Sequence, residues 1–409
     1  MKNIWQSISQ QTEVLGAAQS DSTEFLMSRP CPICKSNLSK TVLTLDRFQF
    51  YSDSTIVNKQ IDVVQEQCER CYTLYMNPCY SPAGFAMLIS EVGHSYGSTE
   101  GRPYEQIDWM KQFGLLITGY SVMDIGCFQG HFLSLLPKQI KKIGVDIDQK
   151  TLDAAKLNHP DIEFICDNLS AFNYTEPVDV ITMFHVLEHL SEPLETLQKL
   201  HSIASDTTHL LVEVPLIDNG HTNDINGFLT VHHLTHFSRN SFRNCLIIAG
   251  WEVVQWDEQT DYNGCRVLAK KAKAQPVLQT KCADVTLLYS YMASWYQALL
   301  AVEKKIQTLH SSTFIIWGAG THLEFLYQVT SLFKKEAEWI VIDNDPNKQN
   351  KRWRGLTMHS PEILNDLQEE NTPVIVSSYG SQENILHALL EKKISRDRIV
   401  LLYDDVRIC

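Results

Sequence analysis

The strongest constraint on how this chain folds is a series of five short apolar runs separated by stretches with helical patterning. Each run is long enough for a buried β-strand, and each connection leaves room for a crossover helix. Because parallel strands need such crossovers, the pattern predicts βαβ units and a mainly parallel sheet with helices on both faces. The runs span residues 122–125, 142–146, 162–165, 178–183 and 210–214.

The same α/β pattern restarts near residue 313, which predicts a second, smaller Rossmann-like unit. A chain of 409 residues is expected to hold two or three domains. Paired cysteines precede the central α/β region, and a helical stretch without Pro or Gly follows it. The expected divisions are an N-terminal extension at 1–28, a cysteine-bearing domain at 29–82, a central domain at 83–275, a connecting helix at 283–310 and the C-terminal unit at 311–409.

Charge and hydropathy exclude several classes of partner. The net charge of −13 argues against a general affinity for nucleic acid or for an anionic membrane. No stretch approaches the roughly 20 apolar residues that span a bilayer, and the first residues lack a basic segment leading into an apolar one. We therefore expect a cytoplasmic protein without a nucleic-acid or membrane partner. Its cysteines are then thiols or metal ligands rather than disulfides.

Two Cys-x-x-Cys pairs lie in the N-terminal part of the chain, Cys31 with Cys34 and Cys68 with Cys71. Each pair can present two thiolates from a tight turn, so the two pairs together supply a tetrahedral four-sulfur shell for a structural Zn²⁺. The alternatives are coincidental thiols or a redox pair. Cys79 is a rival for one ligand position.

A glycine-bearing turn follows the first central run. Asp124 ends the predicted strand, and Gly126 and Gly130 flank a turn into a helix that begins near His131. Glycines serve where a backbone folds tightly beneath a ligand or approaches it closely. Dinucleotide-binding domains share this pattern, so the turn alone does not define the cofactor.

The ends of the next three runs carry polar residues that narrow the choice. Asp146 follows the second run and is placed to accept hydrogen bonds from ribose hydroxyls, with Asp148 as its rival. Asp167 and Asn168 follow the third run and suit the edge of an adenine. Taken singly, each acidic residue could equally be a solvated strand end or a helix cap.

The segment after the fourth run makes the resemblance specific. Residues 179–190 read Asp-Val-Ile-Thr-Met-Phe-His-Val-Leu-Glu-His-Leu and look like the fourth motif of class I S-adenosylmethionine-dependent methyltransferases. The order of the preceding turn and strand ends also matches that superfamily. The resemblance implies that the glycines pass under the methionine part of the cofactor, that Asp146 holds the ribose and Asp167 the adenine amine. The cofactor residues implied in this way are Asp124, Gly126, Cys127, Gly130, Asp146, Ile147, Asp167, Asn168, Phe184 and His185.

One position departs from the commonest form of the superfamily's turn. That form has a glycine where this chain has Phe128. A phenylalanine disfavours a positive φ, so we expect the middle of the turn to differ from the glycine-rich form.

The whole arrangement, over about residues 30–405, resembles the deoxysugar C-methyltransferases, which combine a four-cysteine zinc domain, a methyltransferase domain and a C-terminal Rossmann-like domain. That family also lacks the middle glycine of the turn, and residues 263–267 look like its Gly-Gly-Ser-Leu-Arg stretch. The resemblance implies a nucleotide-sugar acceptor that the C-terminal domain helps to enclose.

The candidate catalytic segment matches this family more loosely. The family motif is Tyr-x-Glu-His-Leu-Ser-Tyr-Phe-Ser, and residues 230–238 read Thr-Val-His-His-Leu-Thr-His-Phe-Ser. His233 falls on the family's general base, but Thr230 replaces the tyrosine and His232 the glutamate. Carbon and oxygen therefore both stay open as the methylated atom.

Chemistry supports a histidine in this role independently. The methyl group of a sulfonium is a strong electrophile, so the protein has to orient an acceptor and remove its proton, which suits an imidazole near neutral pH. His233 is the first candidate base, and His232 and His236 are further candidates for catalysis or substrate contact. The alternative is that the loop is structural and its histidines bond to backbone.

The C-terminal unit carries Gly318-Ala-Gly320, which lacks the third glycine of a dinucleotide fingerprint. A second dinucleotide site is therefore disfavoured, although the turn could hold a phosphate. The favoured function is S-adenosylmethionine-dependent methylation of a small molecule, first of all a sugar nucleotide. The alternatives are N- or O-methylation of a non-sugar metabolite and a non-catalytic binding or scaffold protein. The oligomeric state stays open.

Overall fold

The computed structural model describes residues 25–50, 59–81, 83–85, 101–169, 172–219, 231–259, 262–273, 283–367 and 371–404. In these stretches the expected α/β class is confirmed, with two Rossmann-like sheets preceded by a smaller antiparallel one. None of the helices in these stretches is long and apolar enough to cross a membrane. Residues 1–24 of the expected N-terminal extension lie outside the described ones, as does Thr230.

The N-terminal unit is built on a long antiparallel hairpin. Leu45 pairs with Val63 and Phe48 with Ile61, and all four side chains are buried on one face of the hairpin. The next strand along the chain continues the sheet, and two short strands pair beside it. The strands are β1 (Leu26–Met27), β2 (Ser39–Phe50), β3 (Lys59–Cys68), β4 (Leu74–Met76) and β5 (Cys79–Tyr80).

The central sheet has seven strands, and all five predicted runs form strands in it. The strands are β6 (Ser121–Ile125), β7 (Lys141–Asp146), β8 (Glu163–Cys166), β9 (Val180–Phe184), β10 (His209–Pro215), β12 (Trp251–Glu258) and β13 (Gly264–Lys271), with a two-residue β11 (Thr235–His236) outside the sheet. The helices are α1 (Arg102–Gln112), α2 (His131–Ser134), α3 (Gln149–Asn158), α4 (Pro193–Ile203) and α5 (Arg239–Ile248).

The order of these strands creates a ligand-binding edge. In space they run β12-β13-β10-β9-β6-β7-β8, with β10 to β8 parallel and β13 antiparallel to both of its neighbours. The chain builds outward from β6 to β8 and then returns to β9 on the other side of β6. Such a reversal opens a crevice at the carboxyl ends of the strands, where ligands bind in open α/β sheets.

The C-terminal unit is a six-stranded sheet in the order β16-β17-β15-β14-β18-β19, parallel except for β16. A 26-residue helix, α6 (Ala283–Thr308), leads into it. The strands are β14 (Thr313–Trp317), β15 (Glu338–Ile342), β16 (Arg352–Trp353), β17 (Leu356–His359), β18 (Val374–Val376) and β19 (Ile399–Leu401), and the helices are α7 (Thr321–Val329) and α8 (Gln382–Glu391). Short 3₁₀ turns lie at Leu187–His189, Leu332–Lys334, Pro361–Asn365 and Arg396–Arg398.

The N-terminal unit joins the two larger units. Its strand β4 pairs with β11, which comes from the histidine segment of the central domain. Its hairpin packs against α7, where the side chain of Gln328 donates a 3.0 Å hydrogen bond to the carbonyl of Asp46. Arg354 donates another, also of 3.0 Å, to the carbonyl of Arg47. The N-terminal unit therefore supports the segment that carries the candidate catalytic histidines.

Candidate functional site

The turn between β6 and α2 bends tightly because two of its glycines take left-handed backbone angles. Gly126 and Gly130 both have a φ of 75°. A Cβ atom on Gly126 would lie 2.3 Å from a methyl carbon of Val186, and one on Gly130 would lie 2.7 Å from the ring of Phe164. Conformation and space therefore both require glycine at these positions.

Phe128, in the middle of this turn, also adopts a left-handed conformation. Its φ is 48°, so the expectation that the middle of the turn would avoid a positive φ is wrong. The backbone N–H of Phe128 donates a 2.9 Å hydrogen bond to the carboxylate of Asp146, which holds the peptide in this orientation. Strain of this kind costs about 1–3 kcal/mol and tends to occur at ligand sites.

Asp146 and Asp148, the two candidates for a ribose carboxylate, have different surroundings. The oxygens of Asp146 accept hydrogen bonds from the backbone N–H groups of Phe128 (2.9 Å) and Asp148 (3.1 Å), and burial raises the pKa of its carboxyl. Asp148 caps α3, where its oxygens accept from the N–H of Lys150 (3.1 Å) and the hydroxyl of Thr151 (2.6 Å). This capping role leaves Asp146 as the better ribose candidate.

Asp124 lies beneath the turn with only 5% of its surface exposed. The hydroxyl of Thr182, on the neighbouring strand β9, donates a 2.6 Å hydrogen bond to it. Burial raises the pKa of Asp124 to about 7, although the hydrogen bond from Thr182 opposes the rise. The floor of the site therefore contains a carboxyl group that titrates near neutral pH.

A cavity of about 350 Å³ opens at this edge of the sheet, within the usual size range for small-ligand sites. Nine of the ten cofactor residues expected from the sequence line it, and the tenth, Gly130, is the N-cap residue that precedes α2. They are Asp124, Gly126, Cys127, Asp146, Ile147, Asp167, Asn168, Phe184 and His185. The structure therefore brings together side chains from four separate strand ends.

His185 lies between two carboxylates at one end of the cavity. Its Nε2 atom is 3.1 Å from Glu213, and its Nδ1 atom is 3.3 Å from Glu188. Burial by itself would lower the pKa of His185, but the two carboxylates outweigh it and raise the pKa to about 8. His185 also has a φ of 55°, another left-handed position at this edge.

Glu213 is the centre of a buried polar network. It is fully buried in β10 and accepts hydrogen bonds from Gln106 (2.9 Å), Arg266 (2.9 Å) and the hydroxyl of Tyr262. Burial would raise the pKa of Glu213, but His185 together with Arg266 and Gln106 lowers it to about 2. The carboxylate is thus held in its charged form.

Sequence reasoning missed both Glu188 and Glu213. Glu213 interrupts the apolar run 210–214, and a charged residue inside an otherwise buried strand is a usable signal of a buried polar network. Glu188 follows two apolar residues and directly precedes His189 in the motif at 184–190. It has 1% of its surface exposed.

The three candidate catalytic histidines lie in different places. His232 lines the cavity. His233 is not among the lining residues, and its ring packs edge-on against His189 with the ring centres 4.8 Å apart. His236 also lies outside the lining, in β11, with its Nε2 atom 3.1 Å from the side-chain oxygen of Gln65. Burial lowers the pKa of His233 well below the ordinary value and that of His236 to about 3.

The four cysteines of the two Cys-x-x-Cys pairs converge on one point. Their sulfur atoms all lie within 4.8 Å of one another, and the pairs Cys31–Cys71 and Cys34–Cys68 are each 3.5 Å apart. Sulfur atoms around a tetrahedral zinc lie about 3.8 Å apart, given a Zn–S distance of about 2.3 Å. The residues therefore fit a zinc ion, and the cluster does not include Cys79.

The two cysteine turns have the same backbone geometry. In each, the residue one position beyond the second cysteine has a positive φ and donates its N–H to the carbonyl of the first cysteine. These residues are Lys35, with a φ of 58°, and Tyr72, with a φ of 61°. The N–H groups of Arg70 and Cys71 point at the sulfur of Cys68, at 3.4 and 3.5 Å. Such N–H groups stabilise a thiolate.

Arg29 joins the cysteine unit to the histidine segment. Its guanidinium donates hydrogen bonds to the backbone carbonyls of Leu234 (2.7 Å) and Ser191, and its backbone N–H donates to Asn77 (2.9 Å). Leu234 follows His233 directly in the chain. The position of the histidines therefore depends on the N-terminal unit.

The first turn of the C-terminal sheet has the same hydrogen-bond pattern as the cofactor turn. Asp343, at the end of the second strand of that sheet, accepts the N–H groups of Ala319 (2.7 Å) and Asp345 (2.9 Å). Gly318 has a φ of 111°, and Lys348 lies 3.7 Å from Asp343. The two turns therefore share a backbone arrangement in which an aspartate after the second strand accepts an N–H from the turn after the first.

Comparison with known proteins agrees with this geometry. A family model described as a methyltransferase domain matches residues 99–256. Over 123 residues the chain is 23% identical to protein 235L of Invertebrate iridescent virus 6, whose name describes a methyltransferase. That match covers 29% of this chain and 46% of the viral protein, so the chain spans less than half of that relative's length.

Solved structures of methyltransferases also match part of the chain. An S-adenosylmethionine-dependent methyltransferase from Clostridium acetobutylicum matches 43% of this chain and 94% of its own, with 9% identity and a TM-score of 0.37. One from Mesorhizobium loti matches 40% of this chain and 97% of its own, with 16% identity and a TM-score of 0.35. The family match over residues 99–256, together with the seven-stranded sheet, supports a methyltransferase enzyme with a Rossmann-like methyltransferase fold.

Proposed function

We propose that the chain is a methyltransferase that uses S-adenosylmethionine to methylate a small molecule, first of all a nucleotide sugar. The observation that carries this proposal is the cavity at the carboxyl ends of the central strands, which is lined by nine of the residues expected to bind the cofactor. S-adenosylmethionine supplies an electrophilic methyl group on a sulfonium. The protein has to hold the cofactor, align the acceptor and accept the acceptor's proton.

The residues around the cavity fit these demands. The turn leaves no room for side chains at Gly126 and Gly130, and two backbone N–H groups hold the carboxylate of Asp146 at the cavity wall. Asp167 and Asn168 follow β8 in the same wall. In our proposal Asp146 binds the ribose hydroxyls, and Asp167 with Asn168 binds the adenine edge.

His232 is the better placed of the candidate bases. It lines the cavity, whereas His233 packs against His189 and has a pKa well below the ordinary value because of burial. An imidazole of very low pKa is a poor proton acceptor near neutral pH. We therefore propose His232 as the first proton acceptor. The assignment of His233 as the base, expected from the family resemblance, stays a prediction.

A nucleotide sugar is supported by the overall arrangement of the chain. The C-terminal unit carries a nucleotide-type turn at Gly318, in which Asp343 binds the backbone as Asp146 does in the central domain. The four-cysteine cluster fits the structural zinc of the deoxysugar C-methyltransferases that the sequence resembles. Both features support an acceptor that carries a nucleotide.

Transfer of a labelled methyl group from S-adenosylmethionine to a panel of nucleotide sugars tests this proposal. We expect S-adenosylhomocysteine to form with members that carry a free hydroxyl or a ketone. His232→Asn should lower kcat by about 10²-fold or more without changing cofactor affinity, and the exposed His310→Asn is the control. Turnover with non-sugar metabolites alone would favour the second candidate, methylation of another metabolite. Turnover with neither would favour a non-catalytic binding protein.

A further inference from the structure

A second group of metal-type side chains lies beside the cavity. One ligand atom each from Glu188, His189 and His233 lies within 4.8 Å of the other two. Glu188 and His189 belong to the 3₁₀ turn after β9, and His233 comes from the segment after β10. The two elements are tied by a 2.8 Å hydrogen bond from the N–H of Leu234 to the carbonyl of Glu188.

The carboxylate of Glu188 is the unusual member of this group. It is 1% exposed, and neither of its oxygens makes a hydrogen bond within the described residues. Two histidine ring nitrogens lie near this carboxylate. The Nδ1 atom of His185 is 3.3 Å away and the Nε2 atom of His189 is 3.9 Å away. A buried carboxylate costs free energy unless a positive charge or donors compensate it.

His189 is oriented as a metal ligand would be. Its Nδ1 atom donates a 2.8 Å hydrogen bond to the backbone carbonyl of His232. A carbonyl oxygen only accepts, so the neutral ring carries its proton on Nδ1 and its lone pair on Nε2. Nε2 is the nitrogen that faces Glu188. Metal-binding histidines commonly have this backbone hydrogen bond on their second nitrogen.

We propose that Glu188, His189 and His233 bind one divalent transition-metal ion, distinct from the ion of the four-cysteine cluster. Two imidazoles and one carboxylate are a donor set that Zn²⁺ and similar ions accept while keeping a coordination position open. The donor atoms of such a site lie about 3.4 Å apart, so the three side chains need only small movements to close on the ion.

The site adjoins the proposed reaction space through His189. His189 lines the same cavity as the expected cofactor residues, and His232 lines it too. The backbone carbonyl of His232 orients the ring of His189. An acceptor hydroxyl or enolate oxygen bound there would lose its proton more readily, since a dipositive ion lowers the pKa of a bound O–H. This role of the ion rests on the proposed methyl transfer, whereas the binding of the ion does not.

The competing arrangement needs no metal ion. A protonated His185, 3.3 Å from Glu188, could compensate the buried carboxylate instead. However, His185 also faces Glu213 on its other nitrogen, at 3.1 Å. The two arrangements make opposite predictions for the metal content of the protein.

The test is titration of the full chain, purified with its cysteine cluster loaded, with Co²⁺ followed by visible absorption and by metal analysis after gel filtration. We expect one metal equivalent beyond the cysteine-bound ion, with the spectrum of a nitrogen–oxygen site. Glu188→Gln and His233→Asn should each weaken Co²⁺ binding about tenfold or more. The exposed-surface variant His310→Asn should bind Co²⁺ as the wild type does.

Each outcome of this titration decides the proposal. Absence of the extra equivalent in the wild type, or its persistence in both Glu188→Gln and His233→Asn, would overturn the metal site. Thermal unfolding of each variant identifies any that fails to fold, and two variants keep the test valid if one does. Parallel calorimetry with S-adenosylmethionine separates the two proposals. Cofactor binding without the extra ion overturns only the metal site, and the extra ion without cofactor binding overturns only the methyl-transfer function.

Discussion

The backbone N–H of Phe128 donates a 2.9 Å hydrogen bond to the carboxylate of Asp146, and this bond links the first turn of the central sheet to the end of its second strand. The link holds Phe128 at a φ of 48°, a conformation that glycine usually supplies. It also fixes the carboxylate at the wall of the cavity. The geometry of the turn and the position of the proposed ribose ligand therefore depend on the same pair of residues.

The strain at Phe128 can be tested by substitution. We expect Phe128→Gly to have a free energy of unfolding within about 1 kcal/mol of the wild type, because the relief of the left-handed strain offsets the lost side-chain packing. Phe128→Val should be less stable than Phe128→Gly by about 1–2 kcal/mol, since β-branched residues tolerate a positive φ least. Urea unfolding measures both. Equal stability of the two variants would contradict the conformation described here.

The glycine requirement of the turn gives a second prediction. Gly126→Ala should lower the free energy of unfolding by about 1–3 kcal/mol, because its new methyl group would lie 2.3 Å from Val186 at a left-handed position. Gly320→Ala, in the corresponding turn of the C-terminal sheet, is the control. Gly320 has an ordinary φ of −91°, and a Cβ atom added there would have no other atom within 4 Å. Thermal unfolding of both variants should show a loss only for Gly126→Ala.

Burial of Asp124 predicts a pH-dependent stability. Its pKa is about 7 in the folded protein and near 3.8 when unfolded, so the folded state binds the proton more tightly. The contribution of Asp124 to the free energy of unfolding is fully present below pH 3.8 and is lost as the pH rises through 7. Asp124→Asn should remove the dependence. The stability of the variant relative to the wild type should therefore increase from pH 4 to pH 7, by up to about 4 kcal/mol.

Denaturant unfolding of the two proteins at pH 5, 6, 7 and 8 checks this prediction. The exposed Asp153→Asn on α3 serves as the control, and its difference from the wild type should stay constant with pH. A constant difference for Asp124→Asn as well would show that Asp124 is ionised in the folded protein at all of these pH values.

The cysteine cluster predicts a dependence of the histidine segment on zinc. Cys34→Ser should lose one zinc equivalent by metal analysis, whereas Cys79→Ser, outside the cluster, should keep it. Since β11 pairs with β4 and Arg29 binds the carbonyl of Leu234, we expect loss of zinc to increase hydrogen exchange in residues 231–237. Unchanged exchange there would mean that the two units are not coupled.

Local sequence patterns were sufficient to predict the central sheet and to identify residues that line one cavity at its edge. Strand periodicity depends on neighbours along the chain, and the carboxyl ends of parallel strands meet at one edge, so Asp146, Asp167 and His185 were found together. The prediction that Phe128 avoids a positive φ is wrong because Asp146, at the end of the next strand, holds its backbone N–H. This contact outweighs the local preference of a phenylalanine.

Contacts between distant parts of the chain could not be predicted from local sequence patterns. His236 lies in a strand that pairs with the N-terminal unit and contacts Gln65, 171 positions away. The buried carboxylate of Glu213 accepts hydrogen bonds from Gln106 and Arg266, which lie 107 and 53 positions away in the sequence. No short-range pattern encodes these pairings, and the pairing of β11 with β4 places His236 outside the cavity lining.

Calorimetric titration of the full chain with S-adenosylmethionine and S-adenosylhomocysteine tests the cofactor site most directly. We expect both to bind at one site per chain, and Asp146→Ala to weaken both by about tenfold or more, while the exposed Asp153→Ala leaves them unchanged. Absence of binding for both ligands in the folded wild-type protein would contradict the assignment of this cavity to S-adenosylmethionine.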